Sequence, residues 1–259
     1  MKAYPERQIS RAAGWSRRAG VFSAVLLLTV WLGHHFELVE TGAYLWVLAL
    51  VALLAAIALL LAGLAFSRLW NFGDRGGRNL TVGALSALLV LTPYAFAAYR
   101  VTSTPPLRDI STDPGDPPTL AATGSRTPPT PGEQRLQRES YPLVTGRNYD
   151  LPLDSVVSAV DAVLKRQGWQ RAEPLPVTGG QSEVTIAAVA KSFILDLPAD
   201  VAIRLADDGE TTLVDMRSAS RYGRYDLGDN ASRIVAFMAE LDNEVAGELA
   251  GQVGPAPAE

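Results

Sequence analysis

Along the first hundred residues, apolar positions come in three uninterrupted runs, Ala19–Phe36, Ala43–Phe66 and Leu80–Tyr99, none containing Asp, Glu, Lys or Arg. Each is close to the ~20 residues that a helix needs to cross a ~30 Å hydrocarbon core. After Arg100 the pattern changes to a proline-punctuated stretch and then to short segments with helical or alternating periodicity. It predicts a basic N-terminus over 1–18, three transmembrane helices within 19–100, a Pro-rich linker over 101–140, an extramembrane domain over 141–250 and a flexible tail over 251–259.

The linker carries Pro105, Pro106, Pro114, Pro117, Pro118, Pro128, Pro129 and Pro131. Proline fixes φ and removes a backbone donor, so regular structure should be scarce there. Leu107–Asp113 is more varied in composition and is expected to dock on the domain. Further on, Pro152 and Asp154 suit the first turn of a helix, Val156, Val160, Val163 and Leu164 recur at helical spacing, and Gly168 follows Lys165 and Arg166 as a stop. Ser182–Ala190 alternates as a strand, with Val184, Ile186 and Ala188 on one face. If Asp207–Glu210 closes a hairpin, Val201, Ile203 and Leu205 face Met216, Val214 and Thr212, Asp200 opposes Arg217, and Arg204 lies diagonal to Asp215. A closing helix places Ile234, Met238, Leu241, Val245 and Leu249 on one stripe behind Asp229. The expected domain is α+β, an antiparallel sheet of about four strands with two packed helices, in the order β-α-β-β-β-β-α.

The flanks of the apolar runs set the threading. Lys2, Arg7, Arg11, Arg17 and Arg18 precede the first run and Arg68, Arg75 and Arg78 follow the second, whereas the loop Gly33–Gly42 carries only Glu37 and Glu40. Basic flanks stay in the cytoplasm. Three crossings then put the C-terminal domain on the far side of a cell membrane, the periplasm in a bacterium with two membranes. The first run ends in His34–His35–Phe36, not a small-x-small site, which favours a span over a cleaved signal peptide. Trp15, Trp31, Tyr44, Trp46, Trp70 and Tyr99 sit near helix ends, where amphipathic rings prefer the headgroup layer. Small residues (Ala52, Ala55, Ala56, Ala62 and Gly63 in the second run, Gly83 and Ala87 in the third) would allow close helix approach, and Pro93 should kink the third helix. No ionisable group lies mid-membrane, so a transporter or channel is a poor reading.

The whole chain has 23 basic and 27 acidic residues, of which nine and four fall in the first hundred, so the membrane part carries +5 and the rest −9. An acidic domain is a poor partner for nucleic acid or anionic lipid, which reward Lys and Arg. There is no cysteine, and both histidines, His34 and His35, lie in the membrane part. The domain therefore lacks the usual general base, the thiol nucleophile and the common zinc ligands, and neither a metal nor a cofactor is expected. Gly73, Gly76 and Gly77 lack the neighbours of a phosphate-binding loop. One polar constellation remains: Arg217, Ser218, Ser220, Arg221, Arg224, Asn230 and Arg233, with Asp109, Asp113 and Asp226 as partners. It can be read as an anion-binding site of guanidiniums and helix N–H groups. The favoured reading is a structural network, with Asp113 and Arg221 in one cluster, that pins the linker to the domain, since structural ion-pair networks mimic sites.

The segments Asp109–Asp113, Asp116–Pro118 and Leu197–Val201, and above all Arg217–Ser218–Ala219–Ser220–Arg221 followed by Gly223, Asp226, Gly228, Asn230, Ala231, Arg233 and Ile234, resemble the bacterial family known as domain of unknown function 1499. The resemblance runs from about Pro105 to Leu241, with Leu120 and Met216 as departures from its pattern. It implies an N-terminal set of membrane helices and no assigned activity. The expectation is thus an uncharacterised protein of the cell envelope, anchored in the inner membrane, acting as an interaction or assembly module with protein partners. A domain that binds a small ligand, anion or lipid is the alternative, and a hydrolase ranks last because no catalytic constellation is complete.

Overall fold

A computed structural model describes residues 8–120, 129–176, 181–193 and 195–252 of the chain. Lys2, Arg7, Pro128, the expected tail beyond residue 252 and the side chain of Leu249 lie outside the described residues. The chain divides into two compact units, Met1–Tyr99 and Arg100–Glu259.

The first unit is helical. Helix α1 spans Arg11–His35, with the Ser10 hydroxyl accepting from the Ala13 N–H. Helix α2 spans Thr41–Phe72 and ends at Gly73, whose φ of 69° is the left-handed conformation that glycine adopts at low cost. Helix α3 spans Gly77–Ser103 and continues through Pro93. Among the described residues two helices, α2 and α3, are long and apolar enough to cross a membrane by length and composition, where three were expected. In α1 the apolar run is hemmed in by Arg17 and Arg18 at one end and His34–His35 at the other.

Close approach is built from small residues. Ala55, Ala58 and Ala62 of α2 and Gly83 and Ala87 of α3 are buried, as is Gly20 of α1. A Cβ on Gly20 would stand 2.5 Å from the Gly83 carbonyl oxygen, and one on Gly83 would stand 2.6 Å from the backbone of Ser16. These two helices can meet there only through glycine. Ala56 and Gly63, expected in the same role, face outward. The Ser16 hydroxyl donates to the Ala58 carbonyl (2.9 Å) and the Tyr94 hydroxyl to that of Leu48 (2.8 Å), so these polar groups are satisfied by backbone. Tyr44 is not an interfacial anchor: it is fully buried and stacks on His34 with ring centroids 4.2 Å apart. The short turn between α1 and α2 brings the two rings together.

The second unit is α+β. Its elements are β1 (Asp109–Ser111), α4 (Pro131–Ser140), β2 (Arg147–Tyr149), α5 (Leu153–Gln167), β3 (Gln170–Arg171), β4 (Glu183–Lys191), β5 (Pro198–Asp207), β6 (Thr212–Ser220) and α6 (Asp229–Gln252). The antiparallel sheet runs β1-β6-β5-β4-β3, and β2 also pairs with β6. Among the described residues the sheet has six strands: five follow the expected order β-α-β-β-β-β-α over 141–250, and the Pro-rich stretch adds β1. That stretch also forms α4, started by a capping box between Thr130 and Glu133. The buried Gln137 of α4 bonds the backbone of Ser111 through both ends of its amide (3.2 and 2.6 Å), occupying the outer edge of β1.

The β5–β6 register differs from expectation by two residues. Val201 pairs with Ser218, Ile203 with Met216, Leu205 with Val214 and Asp207 with Thr212, Asp200 pairs with Ala219, and Arg204 lies directly opposite Asp215. The loop is Asp208–Thr211, as long as the expected Asp207–Glu210 but shifted one residue along the chain. A slip of two keeps every side chain on its expected face, so the core is unaffected. That core joins Val156, Val160, Val163 and Leu164 of α5, Ile186, Ile203, Leu205, Val214 and Met216 of the sheet, and Ile234, Phe237, Met238 and Leu241 of α6. The other sheet face carries Asp200, Arg204, Asp215 and Arg217, with a small patch where Leu120 covers Ala202 and Ala219.

Candidate functional site

Alternation along β6 decides the fate of the polar constellation. Successive strand residues point to opposite faces. Ser218 and Ser220 therefore lie on the helix-covered face, and Arg217, Ala219 and Arg221 on the other. One continuous motif thus serves two sites that cannot converge.

On the open face, Arg217 grips Asp109 with a two-pronged contact (Nε to Oδ1 2.9 Å, Nη2 to Oδ2 2.8 Å) and donates to the Pro118 carbonyl at 3.1 Å. Planar guanidinium matches planar carboxylate, which makes this the strongest geometry available to such a pair. Arg221 binds Asp200 at 2.8 Å. The expected pairing of Asp113 with Arg221 is not formed: the Asp113 carboxylate accepts from the Gly115 and Asp116 N–H groups (2.9 and 3.1 Å) and lies 3.6 Å from Arg204. Asp113 belongs instead to a cluster that the motif pattern did not disclose. Arg204 is its centre and contacts Asp116 (2.8 Å) and Asp215 (3.1 Å), while the Thr112 hydroxyl donates to Asp215 (2.7 Å) and accepts the Met216 N–H (2.9 Å). These contacts lay residues 112–118 across the strands.

On the helix face, Asn230 is the hub. Its Oδ1 accepts from the Ser218 hydroxyl (2.8 Å) and from Arg233 (2.6 Å), and its Nδ2 donates to the Arg108 carbonyl (2.9 Å) and to Ser220 Oγ (3.1 Å). Arg233 also donates to Ser218 Oγ at 2.9 Å. Ser218 is wholly buried, and its hydroxyl is held by an amide and a guanidinium, neither able to take its proton. The ammonium groups of Lys165 and Lys191 pair elsewhere, with Asp161 and Asp196. Burial lowers the pKa of Arg233, with Asp229 and Asp226 opposing the shift.

The start of α6 is filled from within. Asp226 accepts the Gly228 and Asn230 N–H groups, both at 2.9 Å, so a carboxylate of the chain occupies the place where an external anion would bind. Its pKa is nonetheless raised, because desolvation outweighs those two hydrogen bonds. The pKa of Asp229 is raised too, again chiefly by burial. Leu227 takes a φ of 57° to turn the chain into the helix, and its carbonyl accepts from Arg100 Nε at 2.8 Å. Gly228 is required there, since a Cβ would fall 3.3 Å from Thr104 and closer still to the Arg100 guanidinium. Arg224 is exposed and lies outside both networks. Among the described residues, no three His, Cys, Asp or Glu side chains are grouped as metal ligands.

The contacts overlooked in the sequence, Gln137, Thr112 and Arg100, carry no motif of their own, except that Thr130 and Glu133 mark the helix that positions Gln137. In this α+β domain the polar motif residues bind one another, Arg217 to Asp109, Arg221 to Asp200 and Arg233 to Asn230 and Ser218. The chain belongs to the family described as protein of unknown function (DUF1499), which matches residues 109–241, from the first residue of β1 to the middle of α6. No curated protein matches the chain.

Proposed function

We propose that this chain is an integral protein of a bacterial inner membrane, with its N-terminus in the cytoplasm and its second unit in the periplasm as an interaction or assembly module. The observation that carries the module reading is the mutual pairing of the motif. Arg217, Arg221 and Arg233 are spent on Asp109, Asp200, Asn230 and Ser218, Asp226 caps its own helix, and Ser218 is sealed. Such a site holds segments together and leaves recognition to the surface, where Leu143 is 73% and Phe193 is 96% exposed.

Insertion of α1 as a third span is supported by its outer face. Phe22, Val25 and Leu28 are each more than half exposed, beside Leu53, Leu60 and Leu64 of α2 and Leu85, Leu88 and Leu89 of α3. So broad an apolar surface is expected of a unit surrounded by lipid. Three crossings with basic flanks then give the stated orientation.

Reporter fusions after Arg75 and after Glu259 test the topology: a reporter active only outside the cytoplasm should be silent at the first site and active at the second. Silence at the second refutes the orientation. Crosslinking in intact cells, followed by purification of the full chain, tests the module. The same membrane neighbours should be recovered repeatedly with the native chain, and fewer of them when Phe193 and Leu143 are replaced by serine. Recovery unchanged by those replacements would move recognition elsewhere.

A further inference from the structure

A groove of about 980 Å³ runs along the first unit between α1 and α2, reaching Asn79 of α3. Its two ends differ in chemistry. Phe22 and Val25 of α1 and Leu54, Ile57 and Leu61 of α2 line its length, while Arg17 and Arg18 stand at its mouth beside Trp15. On α1 the positions 18, 22 and 25 fall on one stripe, so charge gives way to hydrocarbon along a single helix face. The two cations are held in place. Arg17 donates to Asn79 Oδ1 at 3.2 Å, and the Arg18 guanidinium lies 5.2 Å from the centre of the Trp15 ring. Among the described residues, neither arginine forms an ion pair with a carboxylate.

We infer that this groove binds an anionic phospholipid, with an acyl chain along Phe22, Val25, Ile57 and Leu61 and the phosphate between Arg17 and Arg18. The inference rests on the reading that this unit is embedded in a membrane. A ligand charged at one end and apolar over the rest matches the groove, whereas an apolar helix from a second copy would leave the arginines unanswered. A net negative headgroup suits the pair better than a zwitterionic one, whose own cation opposes the guanidiniums.

The test uses the full chain purified in neutral detergent, with phosphatidylglycerol and phosphatidylcholine of identical acyl chains added, and native mass spectrometry to count retained lipids. One phosphatidylglycerol should be retained in preference to phosphatidylcholine. Each of Arg17→Gln and Arg18→Gln should weaken that preference about fivefold, and the double variant about 20- to 30-fold, as expected for loss of a basic contact to an anionic lipid surface. Arg17→Lys with Arg18→Lys should keep most of it, and unchanged helicity by circular dichroism shows that the variants are folded. Ile57→Trp, which fills the apolar part, should lower retention of both lipids. Glycerol phosphate, which has no acyl chain, should not compete. Equal retention of the two lipids, indifference to the glutamine changes, full competition by glycerol phosphate, or a dimer that forms in place of the lipid complex overturns the proposal. Alkaline carbonate extraction of cell membranes separates the two readings. Release of the chain refutes the membrane reading itself, whereas a retained chain without lipid preference refutes only the groove.

Discussion

Replacing Arg217 by methionine keeps most of the side-chain bulk and removes three hydrogen bonds, two to Asp109 and one to the Pro118 carbonyl. The size of the loss depends on burial. An exposed ion pair contributes ~0–1 kcal/mol, whereas breaking a buried pair costs ~3–5 kcal/mol because a charge is left uncompensated. The Arg217 side chain is 7% exposed and that of Asp109 17%, which puts the pair near the buried limit, at about 3 kcal/mol for either single change. Asp109→Asn should therefore cost about as much as Arg217→Met, and the double change should cost less than the sum by about 1–3 kcal/mol. Urea unfolding of a fragment spanning Arg100–Glu259 would measure it. Trp169, the one tryptophan in that fragment, stacks on Phe237 at 5.4 Å and reports directly on core packing. With a slope of ~2 kcal/mol per molar urea, the midpoint of each single variant should fall by about 1.5 M. A fall below about 0.5 M, or strict additivity of the two changes, would refute the claim that this pair fastens β1 to β6.

Asp226 sets a pH dependence. Its pKa is higher in the folded unit than in the unfolded chain, so its contribution to stability is fully present below the ordinary carboxylate pKa of about 4 and is lost as pH rises through the higher folded value. Asp226→Asn should be less stable by roughly 1–2 kcal/mol for the lost N–H acceptor, yet its stability should fall less steeply with pH across that window; parallel curves for the two proteins would contradict the assignment. Ser218→Ala removes a buried donor to Asn230 and should cost about 1–2 kcal/mol without abolishing turnover of any ester, phosphate, peptide or glycoside substrate, and a turnover that disappeared with this serine would make the protein an enzyme. In the first unit, Gly83→Val should separate α1 from α3 and lower the thermal midpoint of the full chain in detergent by several degrees relative to Gly63→Val, which faces open space; equal midpoints would contradict the glycine crossing.

Local chemistry made much of this protein legible before any coordinates. Apolar runs of membrane length, the helix ended by Gly168, the alternation of β4 and the stripe of α6 follow from short-range rules of period and capping, and residues 141–250 have the expected order β-α-β-β-β-β-α. The twin arginines and serines of Arg217–Arg221 were visible as chemistry too. What they do was not, because a strand sends neighbours in sequence to opposite faces, and each then takes whatever partner the fold delivers: Asp109 and Asp200 on one side, Asn230 and Arg233 on the other. Long-range pairing also decided what composition concealed. Pro-rich residues became an edge strand because β6 had an open side, and the β5–β6 hairpin turned one residue later than expected, which set Arg204 directly opposite Asp215. His34 reached Tyr44, and Gly20 met Gly83, because short turns folded the helices back on each other. Periodicity shows which face is buried, but only tertiary structure selects the atom that waits there.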